Sequence, residues 1–146
     1  MSSPPLVRVL LVDDFDAFRS FIRTTLQGTQ FQIIAEVSNG LEAVQKAEEL
    51  QPDLILLDIG LPTLNGIEAA RRIRKRASRS KILFLSQESS ADVIEEALKF
   101  GVGYVMKTHA GSDLLATIEA MRAARHFASM ASRPTLVAPT LRNAHP

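Results

Sequence analysis

Asp13, Asp14, Asp58, Ser86 and Lys107 are the residues of this chain whose types and positions could do chemistry together. Each closes or directly follows a short apolar run. Val7–Val12 leads into Asp13 and Asp14, Leu54–Leu57 into Asp58, Ile82–Leu85 into Ser86 and Gly103–Met106 into Lys107. Three carboxylates in one pocket repel one another, and burial raises their pKa values further. A hard divalent cation relieves that repulsion, and Mg²⁺ takes oxygen ligands while keeping several waters. A carboxylate held beside Mg²⁺ and a lysine can attack a phosphoryl donor and become an aspartyl phosphate. The metal and the Lys107 ammonium neutralise charge on the transferred group, and the Ser86 hydroxyl can bond one phosphoryl oxygen. Taken singly, each residue has a plainer reading. An Asp at a strand end often caps a helix, Ser86 suits a cap or turn, and Lys107 suits a solvated surface. The joint pattern reverses these odds, because every one of the residues falls at the same end of an apolar run.

That argument requires a particular set of elements. Short β-rich runs, Val7–Val12, Phe31–Val37, Leu54–Leu57, Ile82–Leu85 and Gly103–Met106, alternate with longer stretches of helical spacing. The expected helix faces are Phe18, Phe21, Ile22 and Leu26; Leu41, Val44, Ala47 and Leu50; Ile67, Ala70 and Ile73; Val93, Ile94, Ala97 and Leu98; and Leu114, Leu115, Ile118 and Met121. Asn39 and Glu42 have the spacing of a capping box before the second helix. Runs such as Val-Arg-Val-Leu-Leu-Val and Leu-Ile-Leu-Leu read as strands buried on both faces, as parallel sheets require. Five strand–helix units predict an α/β fold with an open, doubly wound parallel sheet and helices on both sides. In such folds ligands bind at the carboxyl ends of the strands, where the five residues converge.

Composition narrows the classes. The 146 residues suffice for one domain plus a short extension, and 46% hydrophobic with 23% charged residues fits a globular chain. The formal net charge of +1 points neither to nucleic acid nor to an anionic membrane. The absence of cysteine removes disulfides, cysteine metal sites and thiol catalysis. No apolar run approaches the ~20 residues that span a bilayer, and Met1–Pro5 lacks a signal-peptide pattern. A soluble cytoplasmic protein is the expectation. Residues 1–5 read as an extension, 6–125 as the domain, and 126–146, with Pro134, Pro139 and Pro146, as a tail or linker.

The segments Val9-Leu-Leu-Val-Asp-Asp14, Leu54-Ile-Leu-Leu-Asp-Ile-Gly-Leu-Pro-Thr-Leu-Asn-Gly66, Ile82-Leu-Phe-Leu-Ser86 and Gly103-Tyr-Val-Met-Lys107 closely resemble the receiver domain of bacterial two-component response regulators. The resemblance implies a flavodoxin-like receiver fold with a five-stranded sheet of order 2-1-3-4-5. It implies that Asp58 is the phosphoacceptor, that Asp14 binds Mg²⁺ directly, that Asp13 acts mainly through water, and that the Gly60 carbonyl completes the metal site. Lys107 would pair with the phosphoryl group, and Ser86 and Tyr104 would form the switch pair. The donor would be a phosphohistidine on a sensor histidine kinase or phosphotransfer protein. The surface of Ser90–Phe100, Gly103–Met106 and Ser112–Met121 would change on phosphorylation for output or homodimerisation. Thr108 follows Lys107 where many family members have Pro, as in the subclass with a helix-turn-helix output domain. Gly60 replaces a residue that usually covers the site with a side chain, a position that influences water access.

Other features are less informative. The run Arg71, Arg72, Arg74, Lys75, Arg76, Arg79 and Lys81 reads as a solvated helix end whose cations suit the C-terminal dipole, with a docking surface for an acidic partner as the alternative. Direct nucleic-acid binding is not expected without interleaved aromatics. His109, His126 and His145 lack metal-ligand spacing and read as surface residues. A phosphohydrolase using an aspartyl phosphate is the rival in another class, yet such enzymes generally carry a second acid where this chain has Gly60. A phosphorylation-independent interaction module is the other rival. The expected protein is a signalling switch, not an enzyme beyond its own phosphorylation and dephosphorylation.

Overall fold

The computed structural model describes the backbone of residues 5–87, 90–128 and 136–137, and the side chains of 5–87 and 90–121. Strands β1 (Val7–Val12), β2 (Phe31–Val37), β3 (Leu54–Asp58), β4 (Lys81–Ser86) and β5 (Gly103–Met106) alternate with helices α1 (Asp16–Leu26), α2 (Gly40–Leu50), α3 (Gly66–Arg76), α4 (Ala91–Ala97) and α5 (Ala110–Ala128). All neighbouring strands are parallel, and these five run in the order 2-1-3-4-5 expected from the sequence. One addition was not expected. A two-residue strand β6 (Leu136–Val137) pairs parallel with Gly103 and Tyr104, using the backbone groups that the outer edge of β5 offers. The remaining tail residues, and the side chains of His126 and His145, lie outside the described residues.

The strands are read by their period of two. Leu10, Val12, Ile55, Leu57, Ile82, Phe84 and Tyr104 face α2, α3 and α4 on one side of the sheet. Val9, Leu11, Leu54, Leu56, Leu83, Leu85 and Val105 face α1 and α5 on the other. β3 is buried at every position, which explains its unbroken apolar run Leu54–Leu57 ahead of Asp58. The helices carry their own signals. Asn39 accepts a hydrogen bond from Glu42 N–H at 2.9 Å and returns one from Nδ2 to Glu42 Oε1 at 2.9 Å, completing the anticipated cap. Asn65 caps α3 the same way through Glu68 N–H at 2.9 Å, and Arg74, Lys75 and Arg76 complement the dipole at its other end. Most of the basic run is a solvated face: Arg71 and Arg72 hold Glu68, and the ends of Arg76 and Glu48 lie 3.8 Å apart.

Two helix faces differ from expectation. Leu41 is 44% exposed, because α2 packs through the small residues Gly40, Ala43 and Ala47 with Val44, which rotates Leu41 outward. Phe21 is 40% exposed and lies against the Phe18 ring, with centroids 5.8 Å apart. At Leu41 the cause is close approach on the other side of α2, where a Cβ on Gly40 would stand 1.8 Å from the Leu64 carbonyl oxygen. Bringing the β3–α3 loop against α2 therefore requires glycine there. Among the described residues no helix is long and apolar enough to cross a membrane.

Candidate functional site

The carboxyl ends of β1, β3, β4 and β5 meet in one cleft of about 280 Å³, lined by Phe15, Asp58, Ile59, Gly60, Ser86, Gln87, Val93 and Lys107. Asp13 follows β1, with its N–H bonded to the Val37 carbonyl at 3.1 Å, and is fully buried. Asp58 ends β3. Its Oδ1 accepts the Gly60 N–H at 3.2 Å, and the next residue, Ile59, donates its N–H to the Leu85 carbonyl at 3.1 Å. Ser86 ends β4 and is buried. Lys107 opens a short 3₁₀ turn between β5 and α5, and its side chain is 6% exposed. Asp14 is exposed at the rim, and one carboxylate oxygen from each of Asp13, Asp14 and Asp58 lies within 4.8 Å of the others.

Lys107 is the hub. Its Nζ stands 2.6 Å from Asp13 Oδ2 and 3.4 Å from Asp58 Oδ2. The surface-lysine reading is thereby excluded. So is helix capping by Asp13: its Oδ1 accepts the Phe15 N–H at 2.9 Å in a local turn, whereas Phe15 is the residue that caps α1 and gives no side-chain cap bond. Burial pushes the Asp58 carboxyl above its ordinary value. Lys107 pulls it down, Asp13 pushes it up and the Gly60 N–H pulls it down, and the net direction is upward.

The donor set fits Mg²⁺. It consists of hard oxygens, one from each of three carboxylates within 4.8 Å of the others, and the Lys107 ammonium supplies one positive charge against the three negative ones. The site keeps a net negative charge, two of its carboxylates are buried, and a divalent cation relieves that repulsion.

The sequence model of the response regulator receiver domain matches residues 9–119. The chain belongs to that family. It is 30% identical to the chemotaxis protein CheY of Listeria monocytogenes over 78% of this chain and 97% of that protein. It is 31% identical to the nitrate/nitrite response regulator NarL of Escherichia coli over 94% of this chain and 65% of that protein. The solved LuxR-family response regulator of Aurantimonas superposes with a TM-score of 0.81 at 26% identity, covering 94% of both chains. The chain spans 61–65% of the length of the regulatory proteins NarL of Escherichia coli and LnrK of Bacillus subtilis. It is thus a receiver domain of the kind found in two-component response regulators.

The structure brings together all of the anticipated Asp13, Asp14, Asp58, Gly60, Ser86 and Lys107. Tyr104, the expected switch aromatic, is fully buried in the α4-side core. Its position on β5 opposite Phe84 sends the ring into the inner layer. Sequence reasoning also missed two contacts. Arg19 donates to the Asp13 carbonyl and pairs with Glu36 at 3.2 Å, bracing the β1 end. Phe15 and Phe18 face Lys107. The available signal was the placement of aromatics one helical turn apart directly after the Asp pair.

Proposed function

We propose that the domain is a phosphorylation-controlled switch in a two-component pathway, with Asp58 as the acceptor. The observation that carries this reading is the Lys107 ammonium between the Asp13 and Asp58 carboxylates at the floor of a cleft rimmed by Ser86. Asp13, Asp14, Asp58 and the Gly60 carbonyl are the groups that would hold Mg²⁺, which supplies positive charge to the transferred phosphoryl group. The repulsion and burial that raise the Asp58 pKa are the same forces that favour a cation beside it.

An Asp58 carboxylate oxygen attacks the phosphorus of a phosphohistidine on a histidine kinase or phosphotransfer protein. The P–N bond breaks as the P–O bond forms, and its electron pair leaves on the imidazole nitrogen, which takes a proton. Lys107 lies 3.4 Å from the attacking carboxylate and is placed to pair with the new oxyanions. Ser86 lines the same cleft and supplies a hydroxyl donor. Water later hydrolyses the acyl phosphate, returning the carboxylate and inorganic phosphate. Phosphorylation adds about two negative charges, and the surface of α4, β5 and α5 responds through Ser86 and Tyr104 to favour an output partner or a second copy of the chain. The domain works in the cytoplasm, residues 6–125 form the switch, residues 126–146 link it onward, and any contact with DNA belongs to a separate output domain.

Acetyl phosphate with Mg²⁺ tests the assignment by intact mass. One alkali-labile phosphoryl group appears on the wild type and none on Asp58→Asn. Equal labelling of the two proteins sinks the assignment of Asp58.

A further inference from the structure

Four groups surround the Lys107 ammonium, and two of them are not carboxylates. Nζ lies 4.7 Å from the centre of the Phe18 ring and 5.1 Å from that of Phe15, both within the ~6 Å over which a cation and a ring face attract. A lysine ammonium is strongly hydrated, and here its side chain is 6% exposed. The carboxylates of Asp13 and Asp58 replace water on one side. The rings replace it on the other. Phe15 is 53% exposed and lines the cleft, and the hydrogen bond from its N–H to Asp13 Oδ1 ties it to the Lys107 partner. Phe18 stands one turn further along α1 and rests on Phe21.

We propose that Phe15 and Phe18 are positioning residues that hold the Lys107 ammonium over the Asp13 and Asp58 carboxylates. The inference rests on the phosphoacceptor reading above. A hydrogen-bonding partner in their place would fix the ammonium in one direction. A ring face attracts it without directional bonds, so Nζ can move from Asp13 toward a phosphoryl oxygen on Asp58 while staying against the rings. The half-exposed Phe15, unfavourable as mere surface, is thereby accounted for. The rings touch Lys107 and act on the reaction through it.

The test uses Phe15→Leu, Phe18→Leu and the matching tryptophan variants of the full chain, with acetyl phosphate as donor so that protein docking plays no part. The leucine variants label Asp58 more slowly, by about 2- to 30-fold each, the range that cation–π attraction spans, and tryptophan restores the rate. In NMR spectra the Lys107 Hε protons, shielded by the ring faces, move downfield in the leucine variants, while those of Lys46 and Lys99 stay fixed. Unmoved Lys107 resonances, wild-type labelling rates, or a loss that tryptophan does not restore overturn the proposal. A wild type that takes no label on Asp58 overturns the functional reading instead, and the Lys107 resonances still judge the clamp.

Discussion

Gly60 lies in the loop after Asp58 and Gly66 opens α3 at the end of that loop, and replacing each by alanine separates packing from chemistry. A Cβ on Gly66 would stand 2.1 Å from the Asp58 carbonyl oxygen and 2.7 Å from Ile59 Cα. Cβ atoms essentially never approach a neighbour closer than 3.0 Å, so the loop must open by at least 0.9 Å, the difference between 3.0 and 2.1 Å. The obstructing atoms are backbone and cannot turn aside. The Gly66 N–H also bonds the Ile59 carbonyl at 2.8 Å, and that bond stretches as the loop opens. Overpacking of this kind costs about 1–3 kcal/mol and sometimes more. The helix-propensity gain of alanine, at most ~1 kcal/mol, offsets part of it. We expect Gly66→Ala to lose about 2 kcal/mol in urea unfolding. Because Asp58 itself is pushed, labelling by acetyl phosphate should fall further, toward the ~100-fold that a 1 Å displacement can cost. Gly60→Ala meets nothing within 4 Å, and its stability should stay within about 0.5 kcal/mol of wild type. Equal stability of the two alanine variants refutes the packing argument.

Asp58→Asn should also stabilise the fold, with a defined pH dependence. The folded carboxyl is held above its ordinary value, so its ionisation opposes folding. The asparagine advantage is absent at low pH, where the wild-type carboxyl is neutral in both states. It grows as pH rises through the ordinary carboxylate range and is complete above the raised folded value, at about 1.4 kcal/mol for each unit between the two. A difference in urea midpoints that does not vary with pH contradicts the assigned direction. Asp14→Ala removes an exposed member of the carboxylate trio and should weaken Mg²⁺ binding by more than about tenfold, read by titration calorimetry. Unchanged affinity removes Asp14 from the metal site.

The strand boundaries were legible because a parallel sheet buried on both faces writes itself as apolar runs, and the runs at Val7–Val12, Phe31–Val37 and Gly103–Met106 end where the strands do. The convergence of Asp13, Asp58, Ser86 and Lys107 followed from topology, since parallel strands point all their carboxyl ends one way. What escaped was set by packing between elements. Leu41 fits a helical stripe but loses its place to the small residues that let the β3–α3 loop approach α2. Phe18 was read only as part of an apolar face, and nothing in linear spacing tells that a ring will meet an ammonium 89 residues away. The two-residue β6 pairs through backbone groups, which carry no side-chain pattern to read.

The buried Tyr104 alters what the switch can consist of. If the resting ring stood in solvent, activation would gain the burial of an aromatic side chain as it moved into space vacated by Ser86. Here the ring is already fully enclosed between β5 and the α4-side core, so that gain is spent before phosphorylation. On the proposed function, the free energy separating the two states would then come from the phosphoryl group's contacts at Ser86 and Lys107, since a ligand shifts an equilibrium only by its differential affinity for the two states. The chain provides its own probe, with one tyrosine and no tryptophan, so intrinsic emission reports Tyr104 alone. Iodide quenching should be weak in the resting protein and equally weak with beryllofluoride and Mg²⁺, while the resonances of α4 and α5 shift between the two. Strong quenching at rest that disappears on activation means that Tyr104 travels from solvent to core, and overturns the enclosed-ring account.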